Sequence, residues 1–248
     1  MTEKRGGYTP PSTPPHAGAS SYGRRKNTVG VVVFPGSCDE ADALNAVRRA
    51  QGLEGRTLWH GDHDLSGIDA VVVPGGFSYG DYLRAGAIAR FSPMMEAVGA
   101  FAAEGGPVLG ICNGFQVLCE ARLLPGALLA NTSLRFVCRQ VDLVVENTDT
   151  PFTRSCTDGE TLSIPVKHTT GRYFAPDALL DELESRDQVV LRYASGHNPN
   201  GSLRDIAGVC NEAGNVFGLM PHPEHAIDSL TGSADGMKLF ESLAWVAA

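Results

Sequence analysis

The sequence predicts an α/β domain: a doubly wound, mostly parallel sheet with helices on both faces and an antiparallel β excursion. Three observations carry this expectation. Continuous apolar runs of strand length at residues 28–34, 68–73 and 107–111 alternate with helix-like stretches at 39–51, 94–103 and 115–121, and strands that are apolar on both faces belong to parallel sheets covered by helices. Beyond Asn131 the pattern changes to longer β-like runs at 135–145, 161–166, 188–193 and 206–219. The last of these is interrupted by Glu212-Ala213-Gly214-Asn215, a hairpin-turn sequence that makes its two halves antiparallel. A weaker strand at 56–60 and an amphipathic helix at 233–244 complete the series.

Composition narrows the function. With 43% hydrophobic residues in 248, the chain can bury a core of its own without staples. The formal charge of −8 and the absence of any basic run beyond Arg24-Arg25-Lys26 leave no electrostatic footprint for nucleic acid and no polybasic membrane anchor. A small substrate or a protein partner is expected instead. The six cysteines stand singly at 38, 112, 119, 138, 156 and 210, without the spacing of a disulfide framework or of a CxxC metal site, so reduced thiols and no structural zinc are expected. Residues 1–26 are rich in Pro, Gly, Ser and Thr and cannot bury enough surface to offset their ordering entropy; a disordered tail is expected there, followed by one domain over 27–248. No run approaches the roughly 18 apolar residues of a membrane span, and a soluble, cytoplasmic protein is expected.

The chemistry concentrates at three turns. Gly110-Ile111-Cys112-Asn113-Gly114 lies between a strand and a helix-like stretch, which makes Cys112 the residue of a nucleophile elbow, with glycines leaving room for substrate and for close strand–helix packing. A position at a helix N-terminus favours the thiolate. The Asn113 N–H, next after the nucleophile, then points at the oxyanion formed by attack on a carbonyl. A lone cysteine more often only packs in a core; the flanking glycines at this turn argue otherwise. The base expected for it is His222, in Met220-Pro221-His222-Pro223-Glu224 at the end of a strand, with Glu224 able to reach the ring nitrogen that faces away from the sulfur. His16, His60, His63 and His225 read as surface or packing residues. Spacing alone does not pair Cys112 with His222, because the two must meet by folding. The third turn, Pro74-Gly75-Gly76-Phe77-Ser78-Tyr79-Gly80-Asp81, follows another strong strand. It matches no phosphate-binding pattern, and its Gly76 amide is the expected second oxyanion donor. Gln116, on the helix after the elbow, joins Gly76 and Asn113 as an expected oxyanion or glutamine-binding residue.

Taken together, residues 74–87, 110–118 and 221–226 resemble the triad, or class I, glutamine amidotransferases. The runs VVVPGGFSYGDYLRAGAIAR, ICNGFQVL, SLRFVCR and NPNGSLRDIAGVCNEAGNVFGLMPHPEHA are similar to one branch of them, the glutaminase subunits of phosphoribosylformylglycinamidine synthase, over residues 28–246. The resemblance implies a subunit of de novo purine synthesis that hydrolyses glutamine to glutamate and ammonia through a cysteine thioester. Ammonia would pass to a large synthetase subunit, with a small third subunit bridging the two. ATP and magnesium would be used by the synthetase, and no cofactor by this chain. Cys112, His222 and Glu224 fall on the catalytic positions. Two loops depart from the pattern: Pro35-Gly36-Ser37-Cys38-Asp39 is one residue shorter than Pro-Gly-x-Asn-Cys-Asp, and Lys167-His168-Thr169-Thr170-Gly171-Arg172-Tyr173 lacks the acidic residue that commonly precedes its glycine.

Other readings of the same residues are another class I amidotransferase, a cysteine peptidase or other cysteine hydrolase of related fold, and a silent scaffold that keeps only the fold. Glutaminase activity measured beside casein cleavage separates the enzymes, and labelling by a glutamine-mimicking electrophile separates them from the scaffold. The tail yields its own test: a chain lacking residues 1–26 should keep its melting temperature and activity, since that segment contributes no core, and a loss of several degrees would contradict the assignment.

Overall fold

The computed structural model describes residues 26–244; apart from Lys26, the expected tail lies outside them. The chain runs β1 (Asn27–Val33), α1 (Glu40–Arg49), β2 (Leu53–Trp59), β3 (Ala70–Val73), α2 (Pro93–Ala103), β4 (Val108–Ile111), α3 (Asn113–Glu120), β5 (Ala127–Leu129), β6 (Val137–Val145), β7 (Thr161–His168), β8 (Arg172–Phe174), α4 (Asp177–Ser185), β9 (Val189–Tyr193), β10 (Ile206–Cys210), β11 (Val216–Leu219) and α5 (Met237–Leu243).

Nine strands form one sheet in the order β2-β1-β3-β4-β11-β10-β9-β6-β7, and β5 pairs with β8 in a separate ribbon. Pairing is parallel from β2 through β11 and antiparallel from β11 to β7. The β10–β11 hairpin turns at the expected position, with Cys210 opposite Phe217. Val31, Val72, Leu109 and Phe217 on the inner strands are fully buried, which is why these strands read as unbroken apolar runs.

Local signals account for the helices. Ser92 caps α2 by accepting a hydrogen bond from the Met95 N–H, and Pro93 follows at the first helical position, where its missing N–H costs nothing. Helix α1 carries Glu40 and Asp42 in its first turn and Arg48 and Arg49 in its last, matching the helix dipole at both ends. It packs on β1 and β2 and touches α5, whereas α3 packs on β3, β4 and β11 and meets α2 through the single turn Ala89–Phe91.

Three differences from the sequence expectation have local causes. Helix α4 was not expected; it buries only Leu180 and Leu183, with Leu179 partly buried beside them, too narrow a stripe to stand out within a β-rich half. The C-terminal helix begins at Met237 rather than at 233, because Ser233 is bridged to Asp228 and the Asp235 carboxylate accepts from the Ser163 N–H. Strand β2 begins three residues earlier than expected, through its full-length register with β1.

Helix α3 is seated on the sheet through Gly114, where a Cβ would lie 1.9 Å from the Val73 carbonyl oxygen. Gly114→Ala should therefore lower the melting temperature by the equivalent of about 1–3 kcal/mol or more, the usual cost of overpacking. Gly99→Ala, in α2 with nothing within 4 Å of the added methyl, should be neutral or stabilising by up to about 1 kcal/mol. Thermal denaturation of the two variants checks both.

Candidate active site

Cys112 links β4 to α3 with φ 50° and ψ −103°, a conformation that costs a non-glycine residue on the order of 1–3 kcal/mol and that lifts the side chain out of the turn. The Cys112 N–H donates to the Leu219 carbonyl at 2.8 Å, so the elbow is held by the neighbouring strand. Gly110 is required beneath it, since a Cβ there would lie 2.9 Å from the Gly114 backbone. The sulfur stands 4.0 Å from the Lys167 carbonyl of β7.

Strand β11 runs directly into the turn that presents His222, and the His222 N–H donates to the Pro165 carbonyl of β7 at 2.8 Å. The ring is buried. Its Nδ1 lies 2.5 Å from Glu224 Oε1, and its Nε2 has no protein partner among the described residues. His222 and Cys112 line the same cleft. Burial alone would lower the imidazole pKa, but the negative charges of Glu224 and Cys112 and the hydrogen bond to Glu224 outweigh it and raise the value to about 10. The ring is thus an imidazolium at neutral pH, oriented at Nδ1 by a carboxylate and free at Nε2 to exchange a proton.

The cleft holds about 510 Å³ including its open mouth. Asn113 and Gln116 tie its walls together. The Ser78 N–H donates to Asn113 Oδ1 at 3.0 Å, Asn113 Nδ2 donates to Asp81 Oδ1 at 3.1 Å and to Gln116 Oε1 at 2.9 Å, and Gln116 Nε2 donates to the Thr170 carbonyl at 2.5 Å. The glycine-rich loop, the elbow helix and the loop after β7 are therefore one hydrogen-bonded unit. Gly76 has φ +144° and sits so close to residues 36–38 that a Cβ would lie 2.6 Å from the Cys38 nitrogen. Its bridge to Ser37 is made by the N–H groups of Cys38 and Phe77, which leaves the Gly76 amide outside that pairing.

All six residues singled out from the sequence come together here: Gly76, Cys112, Gln116 and His222 line the cleft, Asn113 follows the cysteine, and Glu224 backs the histidine. Gln116 spends its amide on Asn113 and Thr170, so it shapes the cleft as well as facing it. Four further residues were not anticipated. The buried Asp39 pairs with the partly exposed Lys167 on the wall beside His222. His168 is buried, and the charge of its form as a cation is opposed first by burial and then by His222, which lowers its pKa to about 3; Asn200 Nδ2 donates to its Nε2, leaving a buried Nδ1 unpartnered among the described residues. Asp81 has its pKa raised by burial, against hydrogen bonds from Asn113 and Gly86. Asp39 and Asp81 follow β1 and β3 at the carboxyl edge of the sheet, the placement rule that located the other residues. His225, read as a surface or packing residue, reaches Asp39 Oδ1 at 3.3 Å.

Asp39, His222, Glu224 and His225 bring potential ligand atoms within 4.8 Å of one another. They are already each other's partners, and the Lys167 ammonium at 2.5 Å from Asp39 Oδ1 supplies the positive charge a cation would bring. All six cysteines are free thiols. Burial raises the thiol pKa of Cys156 and Cys210 to about 11 and that of Cys119 further, which keeps these three protonated and inert.

Residues 26–244 match the family described as the CobB/CobQ-like glutamine amidotransferase domain. Phosphoribosylformylglycinamidine synthase subunit PurQ of Rubrobacter xylanophilus is 63% identical over 215 residues, covering 87% of this chain and 96% of that protein. This chain belongs to the PurQ family of glutamine amidotransferases. A PurQ subunit of Frankia casuarinae is 61% identical over 87% of this chain and 92% of its own length. The PurQ fold described above also superimposes on a chain in the structure of PurLQS from Thermotoga maritima, with a TM-score of 0.81 and 46% identity over 88% of this chain and 97% of that one. Membership makes the chain an enzyme and agrees with the resemblance read from its sequence. Among the described residues no helix is long and apolar enough to cross a membrane.

The raised pKa of His222 has a thermodynamic counterpart. A group whose folded-state pKa lies above its unfolded value stabilises the fold fully below the unfolded pKa of about 6.5, and that contribution is lost as pH rises through the folded value of about 10. The wild-type protein should therefore lose melting temperature between pH 6.5 and 10. Glu224→Gln, which removes the main charge holding the proton, should lose less over the same window. Equal slopes for the two proteins would show that Glu224 does not hold the proton on His222.

Proposed function

We propose that this PurQ-family chain is the glutaminase subunit of a phosphoribosylformylglycinamidine synthase in cytoplasmic de novo purine synthesis, and that it passes ammonia to a synthetase subunit. The observation that carries the reading is the buried His222 ring, fixed at Nδ1 by Glu224 and open at Nε2 toward the cleft it shares with Cys112.

The Cys112 thiolate attacks the side-chain carbonyl of glutamine, and the developing oxyanion is held by the N–H groups of Asn113 and Gly76. Collapse of the tetrahedral intermediate breaks the C–N bond as imidazolium Nε2 gives its proton to the leaving nitrogen. Ammonia and a thioester result. The now neutral imidazole takes a proton from water, hydroxide opens the thioester, glutamate leaves, and thiolate and imidazolium are restored. Glu224 stabilises the imidazolium without itself taking a proton. No step calls for a cofactor in this chain; ATP and magnesium belong to the synthetase.

The partnership is supported by the PurLQS assembly in which a 46% identical chain occurs and by the mouth of the cleft itself. Phe77 and Phe136, 53% and 55% exposed, line the cleft, and Tyr82 and Leu83 follow Asp81 into solvent at 74% and 89%. Apolar side chains gathered at the exit of an ammonia-producing site suit a surface that another subunit covers. We assign that face to the large subunit, with a small subunit bridging the two, and expect their binding to order the loop around Gly76 and raise glutaminase turnover.

Cys112→Ser should abolish glutamine-dependent synthesis in the assembled enzyme by several orders of magnitude, the scale on which triads lose activity with their nucleophile. It should leave ammonium-dependent synthesis intact. His222→Ala should cost more than Glu224→Ala. Steady-state assays with glutamine and with ammonium chloride decide the matter: substantial glutaminase activity in Cys112→Ser, or loss of the ammonium reaction in a well-folded complex, would overturn the mechanism.

A further inference from the structure

We propose that Asp39 is a positioning residue for His222, a second carboxylate on the catalytic imidazole whose charge is shared with Lys167. Asp39 is 3% exposed and enters the site from the turn between β1 and α1. That turn is fixed by the Cys38 and Asp39 N–H groups, both of which donate to the Gly75 carbonyl, at 3.2 and 3.3 Å. Oδ2 lies 3.6 Å from His222 Nδ1. Oδ1 accepts from Lys167 Nζ at 2.5 Å and faces His225 Nε2 at 3.3 Å. Gly75 is what permits the approach, since a Cβ there would lie 2.3 Å from Asp39 Oδ2 and 2.8 Å from His222 Cε1.

The charged and titratable groups facing Asp39 are Lys167 from β7 and His222, Glu224 and His225 from the turn after β11, with Cys112 beyond the imidazole. Burial works to raise the Asp39 pKa, but hydrogen bonds from His225 and Lys167 and the charges of His222 and Lys167 hold it well below the usual carboxylate range. It is therefore a fixed negative charge at every working pH. Two carboxylates on one imidazolium, with thiolate ahead of it, would over-stabilise the proton if nothing opposed them. The Lys167 ammonium supplies that opposition and at the same time holds the strand whose carbonyl faces the sulfur. The pair thus sets where the imidazolium gives up its proton.

The test compares wild type, Asp39→Asn and Lys167→Met. Asparagine keeps an acceptor for Lys167 and His225 and removes only the charge. Side-chain NMR of His222, assigned with His222→Ala, should show its titration midpoint falling by on the order of one pH unit in Asp39→Asn, as expected for an opposite charge removed at this range. In Lys167→Met it should stay or rise. A purely structural bridge would respond alike to loss of either end, so a fall in both variants, or no shift in Asp39→Asn, overturns the proposal. Should Asp39→Asn fail to fold, a fall in Lys167→Met alone overturns it. The alkaline limb of kcat on glutamine should move down with the midpoint in Asp39→Asn while KM at neutral pH holds. That kinetic arm rests on the glutaminase reading, whereas the NMR arm does not: absence of wild-type turnover sinks the reading, and an unmoved midpoint sinks the role of Asp39.

Discussion

The site depends on one backbone conformation, the left-handed turn at Cys112. It is costly for a residue with a side chain, and the surrounding structure over-determines it: the β11 carbonyl of Leu219 holds its N–H, and Gly110 and Gly114 clear the space on either side. Because α3 starts immediately afterwards, the same turn aims the sulfur, places the Asn113 amide beside it, and seats the helix on β3. Relaxing the turn would displace the Cys112 sulfur and the Asn113 amide, the proposed nucleophile and oxyanion donor, together. Strain of this kind is tolerated where a fold has enough packing to enforce it, and here the enforcing strands are the most deeply buried in the sheet.

Around that turn the electrostatics are arranged in depth. Glu224 and Asp39 lie behind the imidazole, the sulfur lies in front, and Lys167 closes the circuit from β7. The charges of Asp39, His222 and Glu224 would each be expensive alone at such burial, and with the partly exposed Lys167 they compensate one another. The neutral amides of Asn113 and Gln116 do the complementary task of fastening three loops from distant parts of the chain, so that the cleft has a defined shape before substrate enters.

Much of this could be read from the sequence, for identifiable reasons. Buried parallel strands such as β1, β3 and β4 announce themselves by unbroken apolar runs, and an elbow announces itself by glycines on both sides of a nucleophile at a strand–helix junction. Glu224 was legible because it is two residues from His222 in a proline-fixed turn. Asp39 and Lys167 were not, because their significance lies in meeting His222 across 183 and 55 positions of sequence, counted from the numbering, and an isolated acid after one strand or lysine within another has no local pattern. Helix α4 and the ribbon β5–β8 escaped for a related reason: two leucines and two three-residue strands carry too little periodicity to separate from their surroundings.

The mooring of His222 has a consequence of its own. Its backbone N–H is held by Pro165 of β7, the last strand in the sheet order, which among the described residues pairs as a strand with β6 alone. Proline is suited to such a border, having no N–H to leave unpaired there. His222 is thus fixed at two places, by its short connection to β11 and by this hydrogen bond to β7. Separating β7 from the sheet would remove one of the two anchors of the His222 backbone and leave the Cys112 turn, whose N–H is held by β11, as it stands.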